Sequence, residues 1–238
     1  MVDLQRGFVL TRHWRDTPAG TEVEFWLATD TGPQRIRLPW QPSVAFIPQA
    51  QREQAEALLQ GEKNLELRPL ALQDFEHRPV LGLYCQQHGQ LMRLETALRK
   101  AGVDMFEADV RPPERYMMER FITAPVVFGG TPGADGLLLD AQMKPDPDYR
   151  PTLRLVSLDI ETTARGELYS IALEGCGERQ VYMLGPPNGD PGEVDFQLEY
   201  CDSRTLLLEK SNEGFARHDR DPIIGGNVVQ FDVDVSSR

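Results

Sequence analysis

The stretch Pro145-Asp-Pro-Asp-Tyr-Arg-Pro151 constrains the fold of this 238-residue chain more than any other feature. Three prolines in seven residues remove three backbone donors and fix φ at about −65°, so neither a helix interior nor a central strand can run through it. The chain is therefore expected to fold as an amino-terminal domain over residues 1–148 and a second domain over 149–238. Charge divides along the same line. Residues 1–150 carry 17 basic and 21 acidic side chains, and residues 151–238 carry eight and 16, within a net charge of −12 and a pI near 4.8. That sign is wrong for a piece that grips nucleic acid mainly through its phosphates.

Upstream of the prolines, Phe8 to Leu10, Val23 to Thr29 and Val44 to Ile47 have strand composition. Val23, Phe25 and Leu27 alternate with Glu22, Glu24 and Trp26, the mark of a sheet with one wetter face. Gln51 to Gln60 and Gln87 to Ala101 read as helices, the second with Leu91, Leu94 and Leu98 on one stripe and Gly102 as its stop. Val103 to Val110 reads as a strand, Pro113 to Phe121 as a helix, and Val126 to Phe128 with Leu137 to Gln142 as a hairpin. The domain is thus α+β. Trp14, Trp26, Trp40, Tyr116 and Phe121 read as core or interdomain packing, because no regular basic interleaving surrounds them.

Downstream, Leu153 to Ile160, Glu167 to Glu174 and Arg179 to Leu184 read as consecutive strands, followed by a helix over Asp202 to Arg217 and a strand over Pro222 to Ile224. The first of these contains Leu155-Val-Ser-Leu-Asp-Ile-Glu-Thr-Thr163, an apolar run ending in two carboxylates. On a strand Asp159 and Glu161 share one face, about 6 to 7 Å apart, while Ile160 points the other way. Two such carboxylates in a partly dry site repel by roughly 4 kcal/mol at ~4 Å, so they call for a hard cation such as Mg²⁺ or Mn²⁺. The same pattern also arises where a strand simply runs out into solvent and Thr162 and Thr163 open a turn.

A second segment, Asp221-Pro-Ile-Ile-Gly-Gly-Asn-Val-Val-Gln-Phe-Asp232, gives a short apolar strand, a Gly-Gly break and Asn227 five residues before Asp232. If a helix starts at Asn227, Asp232 falls within its first two turns. Together the two segments resemble the first two exonuclease motifs of family B DNA polymerases, whose 3′→5′ exonucleases have a ribonuclease H-like fold. Longer stretches resemble the bacterial DNA polymerase II branch of that family. They are Gly7-Phe-Val-Leu-Thr-Arg-His-Trp-Arg-Asp-Thr-Pro18, Tyr84-Cys85, Glu107-Ala-Asp-Val-Arg-Pro-Pro-Glu-Arg-Tyr-Met-Met-Glu-Arg-Phe121, Gly166-Glu-Leu-Tyr169, Glu174-Gly-Cys-Gly177 and Val181-Tyr-Met-Leu-Gly-Pro186.

The resemblance implies an amino-terminal α+β domain followed by an incomplete α/β ribonuclease H-like exonuclease domain with a mixed sheet, Asp159 at the end of its central strand. It implies a DNA-directed DNA polymerase with two-metal proofreading, acting in replication and repair in the bacterial cytoplasm. Asp159, Glu161 and Asp232 would be the catalytic metal ligands for two Mg²⁺ or Mn²⁺ ions; Asn227, Phe231 and Thr162 would position substrate. The partners implied are a single-stranded 3′ end or template, and a sliding clamp engaged through segments beyond Arg238. The family's third exonuclease motif, a Tyr-x-x-x-Asp, would also lie beyond Arg238, so this fragment is expected to be inactive by itself, with an uncovered sheet prone to self-association. Gly226 and the tail Val233 to Arg238 depart from the family pattern. Two other readings stay open: a non-catalytic nucleic-acid or partner-binding module using Arg111 and Arg115, and the inactive remnant of an interrupted gene.

Other site classes find little support. Cys85, Cys176 and Cys201 are far apart, against a disulfide framework or a thiolate zinc site, and the four histidines are scattered. Gly175-Cys-Gly177 lacks the third glycine of a dinucleotide loop and reads as a turn. No apolar run of 18 residues and no signal-peptide pattern occurs, so no membrane span or secretory leader is expected.

Overall fold

The computed structural model describes residues 4–175, 177–187 and 192–216, and 223–224 as backbone. The chain divides into two compact units, Met1–Pro151 and Thr152–Arg238. Unit 1 contains β1 (Gln5–Thr17), β2 (Gly20–Thr29), β3 (Gly32–Arg37), β4 (Ser43–Pro48), α1 (Arg52–Leu59), β5 (Leu65–Gln73), β6 (Pro79–Cys85), α2 (His88–Lys100), α3 (Pro112–Glu119), β7 (Pro125–Pro132) and β8 (Leu138–Pro145). Unit 2 contains β9 (Val156–Thr162), β10 (Leu168–Gly175), β11 (Glu178–Leu184), β12 (Gln197–Cys201), α4 (Arg204–Ala216) and β13 (Ile223–Ile224).

Five strands of unit 1 close into a barrel in the order β1-β2-β3-β8-β7, with β7 returning to β1. The alternation of β2 is realised: Val23, Phe25 and Leu27 are fully buried inside, and Trp26 faces out. Closure comes from the parallel pair Ile36 and Leu138. The turn from β1 to β2 requires Gly20, whose φ is +131° and whose missing Cβ leaves room for the Trp40 indole. Helix α3 starts on two prolines and seats Tyr116 in the barrel core, where its hydroxyl accepts the Met143 N–H at 3.2 Å.

Between β3 and α3 lies a second layered body. Its sheet runs β4-β6-β5, all antiparallel, and α1 and α2 pack on one face around Ala45, Ile47, Leu83 and Cys85. The leucine stripe of α2 is buried there, and Gly102 ends the helix at φ +83°. The strand expected over Val103 to Val110 is reduced to one bridged pair, Phe46 with Phe106, whose N–H and C=O groups exchange bonds of 3.0 and 2.9 Å. Val103 and Met105 do alternate into the core, but the left-handed turn at Glu107 (φ +54°) breaks the ladder. Packing of the aromatics also departs from expectation. Tyr116 is buried and Trp14 partly so, whereas Trp26, Trp40 and Phe121 are exposed.

Unit 2 is a mixed sheet in the order β12-β11-β10-β9-β13. Strands β9 to β11 form an antiparallel meander, while β12 runs parallel to β11 and β13 parallel to β9. Helix α4 buries Leu207 against one face, with Val156, Leu158, Ile160, Ile171, Leu173 and Tyr182. Among the described residues both units are mostly strand with few helices; the sheet of unit 2 is mixed, as expected, with one described helix rather than an α/β alternation. β9 is fourth in the order rather than central, and Asp159 sits at its middle rather than its end. None of the described helices is long and apolar enough to cross a membrane.

Candidate functional site

Residues Val156, Leu158 and Ile160 of β9 point into the core under α4, which forces Ser157, Asp159 and Glu161 onto the opposite face. Both acids are exposed. Register then decides their neighbours: Asp159 stands opposite Ala172 and Glu161 opposite Ser170 on β10. The Ala172 methyl group leaves open space beside Asp159, whereas Ser170 beside Glu161 is itself buried. Beyond Ala172 the same row continues to Val181 on β11, a smaller and more apolar surface than the acids themselves.

Thr162 ends β9 half-buried, and the turn that follows is closed by Thr163, whose hydroxyl accepts the N–H groups of Arg165 (3.3 Å) and Glu167 (3.2 Å). Gly166, at φ +76°, completes the reversal. The acid pair is thereby carried on a strand paired with β10 through Asp159 and Glu161, and with β13 at Val156 and Ser157, not on the loop.

A groove of about 270 Å³ runs from Asp159 and Ser157 toward Glu174, Arg179, Asp195 and Phe196. Arg179 bridges Asp195 and Glu174, and these carboxylates, Asp195 first, hold its guanidinium above the ordinary arginine range. Sequence reasoning missed this groove, since Asp195 and Phe196 reach it only through the placement of the loop before β12. Glycine 175 (φ +142°) supports the layout, because a Cβ there would lie 2.2 Å from the Leu155 carbonyl oxygen.

Of the expected site residues, the ligands Asp159 and Glu161 and the substrate-positioning Thr162 are described; Asp232, Asn227 and Phe231 lie outside the described residues. Among the described residues no three His, Cys, Asp or Glu side chains converge as a metal cluster. Two exposed carboxylates on one face of a strand, with free space beside Asp159, do fit a hard divalent cation, as a partial ligand set. The cations expected to face nucleic acid fare differently: Arg111 is exposed over Trp14 at 5.6 Å, but Arg115 is buried, paired with Glu107 at 2.8 Å and laid over Phe46. Charge reversal at Arg115 would disrupt packing rather than remove a surface contact.

Comparison with known proteins agrees with the layout of unit 1. The family described as DNA polymerase II, N-terminal, matches residues 7–42, and DNA polymerase II, insertion domain, matches residues 43–103. The second match covers β4 to α2, the layered body between barrel and α3. DNA polymerase II of Escherichia coli (strain K12) is 62% identical over 229 residues, 96% of this chain and 29% of that protein. The chain therefore spans less than a third of the length of that relative. The solved structure of the family B DNA polymerase from the hyperthermophilic archaeon Pyrobaculum calidifontis aligns with 98% of this chain and 32% of its own, at a TM-score of 0.71 and 19% identity, a likeness of fold.

Proposed function

We propose that this chain, DNA polymerase II-like along nearly its whole length and so of family B, contributes a 3′→5′ proofreading exonuclease site on a ribonuclease H-like unit, over 149–238, that follows the amino-terminal domain. In the whole enzyme that site would serve DNA-directed DNA synthesis in replication and repair, acting on single-stranded 3′ ends. One observation carries the reading: Asp159 and Glu161 stand side by side on the open face of β9, held there by the burial of Leu158 and Ile160.

Asp159 and Glu161 would hold the cation, with Asp232 as a third ligand from the other motif. Mg²⁺ or Mn²⁺ bound there would supply an activated water and offset charge on the leaving 3′ oxygen. The chain's own contribution is placement. The strand sets the carboxylate spacing, Ala172 leaves room for a phosphate beside Asp159, and Thr162, Asn227 and Phe231 would orient the terminal nucleotide. Without a cation the two like charges repel, so occupancy stabilises the face it binds.

Titration with Mn²⁺, followed by the loss of the free-ion paramagnetic resonance signal, tests this. D159A and E161A are each expected to weaken binding about tenfold or more, the loss of at least ~1.4 kcal/mol of ion binding. Unchanged affinity in both variants would overturn the assignment.

A further inference from the structure

The pairing of β10 with β9 slips beside the acid pair. Leu168 stands opposite Thr162 and Ser170 opposite Glu161, so one step along β9 is matched by two along β10, and Tyr169 is the extra residue of a bulge. Its neighbours fix where it points. Leu168 and Ile171 both enter the core beneath α4, and strict alternation would leave one residue between two inward side chains, whereas here there are two. Tyr169 and Ser170 therefore both leave on the face that carries Asp159 and Glu161. Ser170 is covered and Tyr169 is not: Tyr169 is 45% exposed, against 6%, 8% and 2% for Leu168, Ser170 and Ile171. Among the described residues no group bonds its hydroxyl.

The backbone that presents this ring is held. Thr163 N–H donates to the Glu167 carbonyl at 2.9 Å and Gly166 N–H to the Thr163 carbonyl at 2.8 Å, closing the turn before β10. Arg204, at the start of α4, donates to the Leu168 carbonyl at 3.4 Å and pairs with Glu167 at 3.1 Å. A tyrosine ring on a fixed backbone has two rotatable bonds and loses little entropy when covered.

The two ends of the open face differ in chemistry. Toward Ser157 the Arg179 groove carries Glu174 and Asp195, and the guanidinium between them is engaged by both, so that end disfavours a phosphate. Toward Thr162 the bulge offers an aromatic ring within about one residue, ~3.3 Å along the strand, of the position opposite Glu161. Resting on the exonuclease reading above, we infer that the Tyr169 ring stacks on the base of the 3′-terminal nucleotide whose phosphodiester is cut. The ring face does this, not the hydroxyl. Stacking of this kind accepts any base, as removal of any mismatched nucleotide requires.

The test titrates the chain into a dinucleotide of thymidine and 3′-terminal 2-aminopurine, a base whose fluorescence falls when it stacks. Titrations run in Mg²⁺ and in EDTA, and only the metal-dependent part is read. The parent is expected to bind and quench, and Y169F to match it. Y169A and Y169L are each expected to lose the quench and to weaken binding about 5- to 150-fold, the range of a lost stacking contact. A ring needed only for packing would leave Y169L close to Y169F. F196A, which removes an exposed ring at the other end of the same face, should behave like the parent. Mn²⁺ affinity, read from the free-ion paramagnetic signal, should be unchanged in Y169A, which separates this inference from the one it rests on. Unchanged affinity in Y169A and Y169L, loss of the quench in F196A instead, or a parent that takes up Mn²⁺ but no dinucleotide would overturn it. A parent that takes up neither would overturn the exonuclease assignment and this inference with it.

Discussion

Asp16 leaves the barrel hairpin to cap a helix in another layer, accepting the backbone N–H groups of His88 (3.0 Å) and Gly89 (2.7 Å) at the start of α2. Burial alone would raise its pKa; hydrogen bonds from Thr21, Gly89 and His88 outweigh that and hold it below the usual carboxylate range. A depressed acid stabilises above its unfolded value, about 3.9, and loses that contribution as pH falls through the folded one. D16N is therefore expected to cost about 1 kcal/mol at neutral pH, by thermal or urea unfolding, and to flatten the acid limb. Burial, which opposes the shift of Asp16, is what lowers His88. Its neutral form is favoured by folding, so stability is complete above its unfolded value of about 6.5 and declines below it. The midpoint of the native chain should fall from pH 7 toward 5.5, and less so in H88Q. Cys85 offers a simpler readout: burial pushes its thiol up to about 12. Iodoacetamide at about pH 8 should leave it unmodified until the chain is unfolded, by peptide mass analysis.

Elements whose burial follows a clean period were legible. β2 announces its inner face through Val23, Phe25 and Leu27, α2 through its leucine stripe, and β9 through the apolar run that forces Asp159 and Glu161 outward. β5 was not, because Pro69 interrupts it and its side chains are mostly exposed, leaving no alternation to read. β12 is five residues long and only half-buried, too short for a period to emerge. The acid pair was legible because two residues on one strand share a face whatever the fold. The Arg179 groove was not, since Asp195 and Phe196 join the β9–β11 meander there only through the placement of the loop before β12. Two substitutions test these elements. G20A, whose added Cβ would lie 2.0 Å from Trp40 Nε1 at φ +131°, should cost at least about 1–3 kcal/mol in unfolding experiments. L158A should cost about 2–5 kcal/mol from the core beneath Asp159.

At the scale of the whole molecule, the chain folds into two units with separate cores. The proline-rich stretch ends at Pro151, where unit 1 also ends. In the proposed exonuclease site of unit 2, carboxylates from two segments 73 residues apart in sequence would serve one cation. Fe²⁺ placed in that site with ascorbate and peroxide cuts the backbone only where the chain lies beside the ion. Cleavage mapped by mass spectrometry should appear at both the Asp159–Glu161 segment and the Asn227–Asp232 segment, and Mg²⁺ or Mn²⁺ in excess should suppress both together. Cuts confined to one segment, or suppressed independently, would contradict the shared site.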